Sequence, residues 1–226
     1  MGYKLENKNI RINKFNLIGY GKCGNVYKYR KEAIKIFPNG EIPEGVMDEE
    51  SCNMLKKIST QAILLPRKTA RYNDRFSGYS LKLVHKSSAT GNVITMDKKS
   101  FLDSVFTLEE DVDVLSSNGV LLDGITPSNV LITDQIYIID PSRYSFVLNQ
   151  RVHPDKLRDF NRYQVYLLLC EMITSGLKKN GISSSELRKI RSLLKDKDED
   201  VSCYDFFDCL LEKNHTFKSF VKKRSQ

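Results

Sequence analysis

Apolar residues cluster in short runs through the first third of the chain. Asn9–Asn16, Asn25–Tyr29 and Glu32–Phe37 read as strands, with a glycine-rich turn ahead of the second. Pro38, Gly40, Pro43 and Gly45 then break the pattern. From Met47 to Ile58 the apolar positions Met47, Met54, Leu55 and Ile58 suit one face of a helix. Two further strands are expected, Ala62–Leu65 and Gly78–Val84, the second after the turn Asn73-Asp74. The polar stretch Lys86–Asn92 reads as a connector.

Beyond it the period changes. Leu102, Val105, Phe106, Val112 and Leu115 recur at helical spacing, and Ser116-Ser117-Asn118-Gly119 supplies a stop. Val130–Thr133 and Ile136–Ile139 form a short hairpin around Asp134-Gln135. Phe160–Ile173 is apolar nearly all round and is expected to be a buried helix, with Tyr163 and Tyr166 in the core. Helices are also expected over Ser184–Leu194, opened by a capping box at Ser183–Glu186, and over Cys203–Lys213. The expected organisation is a β-rich part over residues 1–84, a connector over 85–92 and a helical part over 93–226.

Composition alters this picture little. At 226 residues, 40% hydrophobic and 28% charged, the chain can bury a sizeable core and is not a disordered or disulfide-built protein. No apolar run approaches the roughly 18 residues of a membrane helix. The N-terminus lacks the apolar core of a signal peptide, and Glu6 stands where a myristoylation site takes Ser or Thr. Five cysteines without paired spacing point to reduced thiols, so a cytoplasmic protein without membrane contact is expected. Cys23 reads as an inert small residue. With three histidines at separate positions (85, 153 and 215), metal catalysis through imidazole is not expected.

Charge changes it more. Residues 1–84 hold 16 Lys and Arg against 8 Asp and Glu, whereas residues 85–226 hold 20 of each. The β-rich part therefore carries the whole net charge of +8 and should attract anions; a nucleic acid, an acidic protein surface or a nucleotide triphosphate would all fit, and charge does not choose among them. Basic and aromatic residues do not read as interleaved in the manner of single-strand binders, so nucleic acid is not the expected partner.

Three pieces of sequence carry chemistry. Gly19-Tyr20-Gly21-Lys22-Cys23-Gly24 lies between two strands, where backbone N–H groups can close over phosphates free of Cβ interference. It is no dinucleotide fingerprint, since a strand follows it, and no Walker loop, since Gly-Lys-Ser/Thr is missing. Eleven residues past Gly24, Lys35 sits inside the apolar strand Ala33–Phe37, where its ammonium can be a cation held beneath phosphates. Asn129 stands before one strand of the later hairpin and Asp140 ends the next; two such oxygen donors suit a hard divalent cation.

In this order and spacing the three pieces resemble the protein-kinase-like superfamily, in the flavour of its small bacterial members, over nearly the whole chain. The resemblance implies an α+β bilobal fold: a small antiparallel β lobe with one helix, and a mainly helical, shortened C-terminal lobe. It implies ATP and Mg²⁺ as ligands. Gly19, Gly21, Gly24 and Val26 would cover the nucleotide and Lys35 would contact its phosphates. Glu50 would pair with Lys35, with Glu49 and Ser51 as neighbouring alternatives. Val84, His85 and Lys86 would form the adenine-facing hinge, and Asn129 and Asp140 would hold Mg²⁺.

The departures from that pattern shape the expected function. The family's His-Arg-Asp-Leu-Lys-Pro-Glu-Asn loop aligns with Leu122–Asn129, so Gly124 takes the place of the catalytic base and Asp123 lies one residue early. The family's Asp-Phe-Gly becomes Asp140-Pro141-Ser142, and the Ala-Pro-Glu element is missing. Asn161 stands where the family commonly has an Asp bracing the catalytic loop. The resemblance therefore implies a pseudokinase or weakly active kinase that works through binding. Its alternatives are an active kinase using Asp123 as a displaced base on a Ser/Thr or small-molecule hydroxyl, and a nucleotide-independent scaffold whose basic β-rich part grips an acidic partner or nucleic acid.

Overall fold

A computed structural model describes residues 2–84, 92–147, 152–198 and 201–212, with 217 and 219. The fold is α+β. A seven-stranded antiparallel sheet is built from β1 (Tyr3–Leu5), β2 (Lys8–Ile10), β3 (Leu17–Gly21), β4 (Gly24–Tyr29), β5 (Glu32–Ile36), β6 (Lys68–Tyr72) and β7 (Arg75–Lys82), in the order β2-β1-β6-β7-β5-β4-β3. One helix, α1 (Glu49–Leu55), belongs to this part. Four more follow: α2 (Lys98–Ser117), α3 (Pro154–Lys179), α4 (Ser184–Lys195) and α5 (Cys203–Leu210). Between α2 and α3 run the short pairs β8 (Val120–Leu121) with β11 (Ser145–Phe146), and β9 (Val130–Ile132) with β10 (Ile136–Ile138). The arrangement is compatible with two lobes.

The sheet buries side chains on both faces. Ile34 and Ile36 pack with Leu5, Ile10 and Ala70, which requires the sheet to curl until its first hairpin lies over β5. Phe37, Tyr79 and Leu81 join the larger core, which continues through α2, α3 and α5. Lys35 lies opposite Tyr79 in the β5–β7 register and so shares that second face. β5 and β7 approach closely here: a Cβ at Gly78 would lie 1.9 Å from the Lys35 carbonyl oxygen, at a φ of +149°. Glycine inside this strand is the condition for the register.

Helix ends follow local chemistry. Asp48, Asp97, Ser183 and Ser202 each accept an N–H of the first turn they precede. The Ser183–Glu186 capping box forms as expected. Glu109, buried on α2, adds a long-range cap by accepting from Cys203 N at 2.8 Å and Tyr204 N at 3.2 Å. Among the described residues no helix is long and apolar enough to cross a membrane, and the five cysteines are free.

Several sequence expectations are corrected. The strand expected over Asn9–Asn16 stops at Ile10, and Lys14–Asn16 is a 3₁₀ turn with Asn13 accepting from Phe15 N. Ala62–Leu65 is no strand. It is a fully buried segment touching β10 through one parallel bridge, Ile63 to Ile138. Leu64 N donates to Ile138 O at 2.8 Å and Ala62 O accepts from Ile138 N at 3.0 Å, while the N–H groups ahead of this bridge go to the buried Asp111 carboxylate, which accepts from Gln61 N at 2.8 Å, Ala62 N at 2.7 Å and Ile63 N at 2.7 Å. Burial raises the Asp111 pKa although these three donors pull the other way. β1, β3 and β6 were not expected; each is short and set by its partners rather than by a long alternating run. The buried helix is longer than its apolar core, and it is not buried all round: Phe160, Tyr163 and Leu167 are exposed, with Tyr163 at 57%. Tyr166, three residues on from Tyr163 and about 300° round the helix, is the buried one of the two tyrosines. His215, the tail beyond 219 and residues 85–91 of the connector lie outside the described residues.

Candidate functional site

The site is assembled by β4, β5, β7 and the segment after β10. Lys35 is enclosed on the central strand β5, its side chain only 7% exposed. An ammonium in such a place requires a countercharge. Asp140, 105 residues away in sequence, provides it: Lys35 Nζ lies 2.6 Å from Oδ2 and 2.8 Å from Oδ1. The Tyr79 hydroxyl donates to Asp140 Oδ1 at 3.1 Å, and Ser142 N donates to the same oxygen at 3.2 Å. The Ser142 hydroxyl stands 3.4 Å from Lys35 Nζ.

Electrostatics follow from this packing. Burial alone would raise the pKa of the Asp140 carboxyl. The Lys35 ammonium and the Ser142 donors outweigh burial and hold the carboxyl below its ordinary value. The Tyr79 phenol moves the opposite way: burial and the adjacent Asp140 charge push it well above the usual tyrosine range. It is a permanent donor at neutral pH.

The segment carrying Asp140 is fixed at several points. Pro141 sets its own φ, Tyr144 N donates to Pro141 O at 3.0 Å, and Met47 N, just before α1, donates to Ser142 O at 2.7 Å. Asn129 is brought beside it by the β9–β10 hairpin, since Ile139 N donates to Asn129 O at 2.8 Å. The Asn129 amide nitrogen is engaged with Gly124 O at 3.3 Å. Its Oδ1 is met by the Ser128 hydroxyl at the long distance of 3.5 Å, which leaves this oxygen able to serve as a ligand.

The glycine hairpin lies next to Lys35. Gly21 pairs with Gly24 across the two-residue turn Lys22-Cys23, Gly19 pairs with Val26, and Val26 lies opposite Lys35. Gly24 is obligatory in this register: at its φ of +136° a Cβ would meet Ile36 O at 2.4 Å. Val84 is half-buried and packs against the larger core. His85 and Lys86, expected with it as the hinge, lie outside the described residues.

Two expected residues stand apart. Glu50 is exposed, and neither it nor Glu49 meets Lys35. The reason is helical phase. Cys52 and Leu55 face the core, and Glu50, two residues before Cys52, lies about 200° round the helix. Glu49 pairs instead with Arg71. Asp123 is exposed and has no hydrogen-bond or ion-pair partner among the described residues. Gly124, next to it, holds φ +68°, and a Cβ there would meet Arg143 Cδ at 2.5 Å. Leading into this loop, the fully buried Asn161 accepts from Leu122 N at 2.9 Å and donates to Val120 O at 2.8 Å and Ser116 Oγ at 3.0 Å.

Sequence reasoning missed Tyr79 and Ser142 as partners of the ion pair. The signal for Tyr79 was available: it shares period-2 phase with Leu81 and therefore the core face of β7. No three His, Cys, Asp or Glu side chains cluster as a metal site among the described residues. No family model matches the chain, and no curated protein matches it.

Proposed function

We propose that this protein is a protein-kinase-like nucleotide-binding protein, taking ATP with Mg²⁺, in which phosphotransfer is weak or lost and binding is the working output. The observation that carries the reading is the convergence of four separate sequence elements: the glycine hairpin, Lys35, Asn129 and Asp140. Lys35 is gripped by Asp140, Val26 of the hairpin lies opposite Lys35, and Asn129 is hydrogen-bonded to the residue preceding Asp140. An enclosed ammonium beside glycine backbone suits a polyphosphate. Two adjacent oxygen donors, one carboxylate and one amide, suit Mg²⁺, which would screen phosphate charge.

Positioning is intact in this reading while base chemistry is not. Gly124 has no side chain to accept a proton from a substrate hydroxyl. Asp123, exposed and unpartnered among the described residues, supports a second reading in which it acts as a displaced base toward a Ser/Thr or small-molecule hydroxyl. In the first reading Asp123→Asn leaves any residual transfer unaltered; in the second it abolishes transfer.

The binding claim is tested by thermal unfolding with Mg·ATP. At about 100 times its Kd the ligand should add about 2.7 kcal/mol of stability. Asn129→Ala should diminish the shift without disturbing Lys35. An unchanged melting temperature at millimolar Mg·ATP overturns the reading and leaves the nucleotide-independent scaffold, gripping an acidic protein through its basic sheet, as the surviving alternative.

A further inference from the structure

Between Glu6 and Glu32 the chain carries seven basic residues, Lys8, Arg11, Lys14, Lys22, Lys28, Arg30 and Lys31, and no acidic one. All seven are exposed, and none has a carboxylate within ion-pair distance among the described residues. On the neighbouring strands and on α1, by contrast, Lys4 pairs with Asp74, Lys56 with Glu6, Lys68 with Glu32 and Arg71 with Glu49. Arg75 and Lys82 on β7 are also exposed without an ion pair, but the seven between Glu6 and Glu32 form the longest run of basic residues uninterrupted by an acidic one in this part of the sequence.

Two aromatic rings stand in this stretch almost wholly in solvent, Phe15 at 85% and Tyr20 at 88% exposure. Phe15 sits in the turn Lys14–Asn16, with Lys14 Nζ 5.5 Å from its ring centroid. Tyr20 lies on β3, the outermost strand, which pairs with β4 alone. Leu17 pairs with Tyr27 and Gly21 with Gly24. The strand thus runs from opposite Tyr27 to the Lys22-Cys23 turn, about 17 Å at the usual rise, and the Arg30-Lys31 turn between β4 and β5 lies three residues beyond Tyr27. Tyr20 pairs with Asn25, whose side chain leaves the sheet on the face opposite Val26 and Lys35. The ring is therefore directed away from the candidate nucleotide site.

Lysines on an edge strand can serve simply to repel another strand. That accounts for the charges but not for Phe15 and Tyr20, since exposed apolar rings work against such protection. An acidic protein would satisfy the cations and would have to supply an apolar or aromatic side chain of its own against each ring. Duplex DNA offers phosphates but no free base faces. A single strand offers both, since every base has a π face to stack and phosphates lie between successive bases. We propose that the β3 edge and its flanking turns bind single-stranded nucleic acid, with bases stacking on Phe15 and Tyr20 and phosphates meeting Lys14, Lys22, Arg30 and Lys31. This runs against the expectation from sequence, in which these residues did not read as interleaved; the structure leaves them exposed on β3, on the turn before it and on the two hairpin turns that follow. It does not depend on the nucleotide reading.

The test is fluorescence anisotropy of the full chain with a labelled oligo(dT) of about twelve nucleotides, within the site sizes of single-strand binders. Binding should weaken linearly in log salt between about 50 and 200 mM. Phe15→Ala should lower affinity about tenfold with the salt slope unchanged, whereas Lys14→Gln with Arg30→Gln should flatten the slope. Circular dichroism melts of each variant confirm folding. Oligo(dT) binding by a parent chain that shows no Mg·ATP shift sinks the nucleotide reading alone and supports this one. The proposal is overturned if oligo(dT) fails to bind at low salt, or if the Phe15 and Tyr20 alanine variants bind as well as the parent. It is also overturned if polyglutamate binds equally tightly, or if Mg·ATP competes the oligonucleotide off.

Discussion

The segments Ile139–Ser142 and Leu122–Asn129 lie next to each other in space yet are built on opposite terms. In the first, Lys35 Nζ, Tyr79 Oη and Ser142 N converge on the one Asp140 carboxylate. In the second, Asp123 is exposed and unpartnered among the described residues, and its neighbour is a glycine in left-handed backbone. The part suited to holding charge is preorganised, whereas the part suited to moving a proton is not. Preorganised electrostatics is what binding of a polyphosphate needs, and a positioned base is what transfer needs. The contrast is the structural ground for reading this molecule as a binder first.

The sharpest way to break the contrast is to remove Asp140. Asp140→Ala leaves the Lys35 ammonium enclosed without a countercharge, and stability should fall by about 3–5 kcal/mol. Lys35→Met in the same chain should recover most of the loss in urea unfolding, because the buried charge leaves with it. A loss below about 1 kcal/mol would mean that Lys35 finds water or another acceptor, and the segment would lose its special status. Acid should act in the same direction. The folded-state pKa of Asp140 lies below its ordinary value, so its contribution is complete above the unfolded pKa of about 3.9 and is lost as pH falls through the depressed value. Asp140→Asn should therefore unfold with a shallower dependence on pH in that acid window than the parent chain.

Asn161 supports the second segment from beneath, and its replacement comes next in size. The amide accepts from Leu122 N and donates to Val120 O and Ser116 Oγ. Asn161→Asp retains the acceptor but turns the donor edge into a carboxylate oxygen facing the Val120 carbonyl. Loss of about 1–3 kcal/mol is expected in denaturant unfolding. If Asp were tolerated without loss, the support would be steric rather than hydrogen-bonded.

How much of this was legible beforehand depends on the range of each interaction. The placement of the glycine hairpin, Lys35, Asn129 and Asp140 in the fold was readable because each announces itself locally: glycines between strands, a charge inside an apolar run, polar residues at strand ends. The strands β4 and β5 and the long helices were readable for the same reason. The partner of Lys35 was not. It depends on the phase of α1, where one residue is about 100°, and on a tertiary contact spanning 105 residues. The misread segment Ala62–Leu65 has the apolar run of a strand, yet its first N–H groups go to Asp111 on α2. No local pattern distinguishes a carboxylate partner from a neighbouring strand. Tyr163 and Tyr166 were indistinguishable by composition, and their burial differs only through the face of α3 that meets the core.

Gly124 offers a smaller perturbation that addresses the second segment directly. Gly124→Asp places a carboxylate at the position the resemblance assigns to a base. The backbone there is left-handed at φ +68°, which costs an ordinary residue about 1–2 kcal/mol, with Asp at the lower end. The Arg143 side chain must also withdraw, but it is exposed and can swing outward. A stability loss of about 1 kcal/mol is expected, with no gain in phosphotransfer, since the neighbouring Arg143 guanidinium is placed to engage the new carboxylate rather than leave it free as a base. A gain in transfer would show that one missing carboxylate is all that separates this site from catalysis.

Asp123→Asn carries the smallest expected effect and completes the comparison. The side chain is exposed and unpartnered among the described residues, so stability should stay within about 0.5 kcal/mol of the parent. That silence makes the variant informative, because any change in function cannot be assigned to the fold. With a radiolabelled γ-phosphate and a panel of small alcohols and generic proteins, a binder gives the same low background in the parent and in the variant. A displaced base gives transfer in the parent and none in the variant, while the Mg·ATP stabilisation is the same in both. The pairing of an unchanged binding shift with a changed transfer rate would assign nucleotide holding and proton transfer to different segments; no change in either would leave the second segment without a part in transfer.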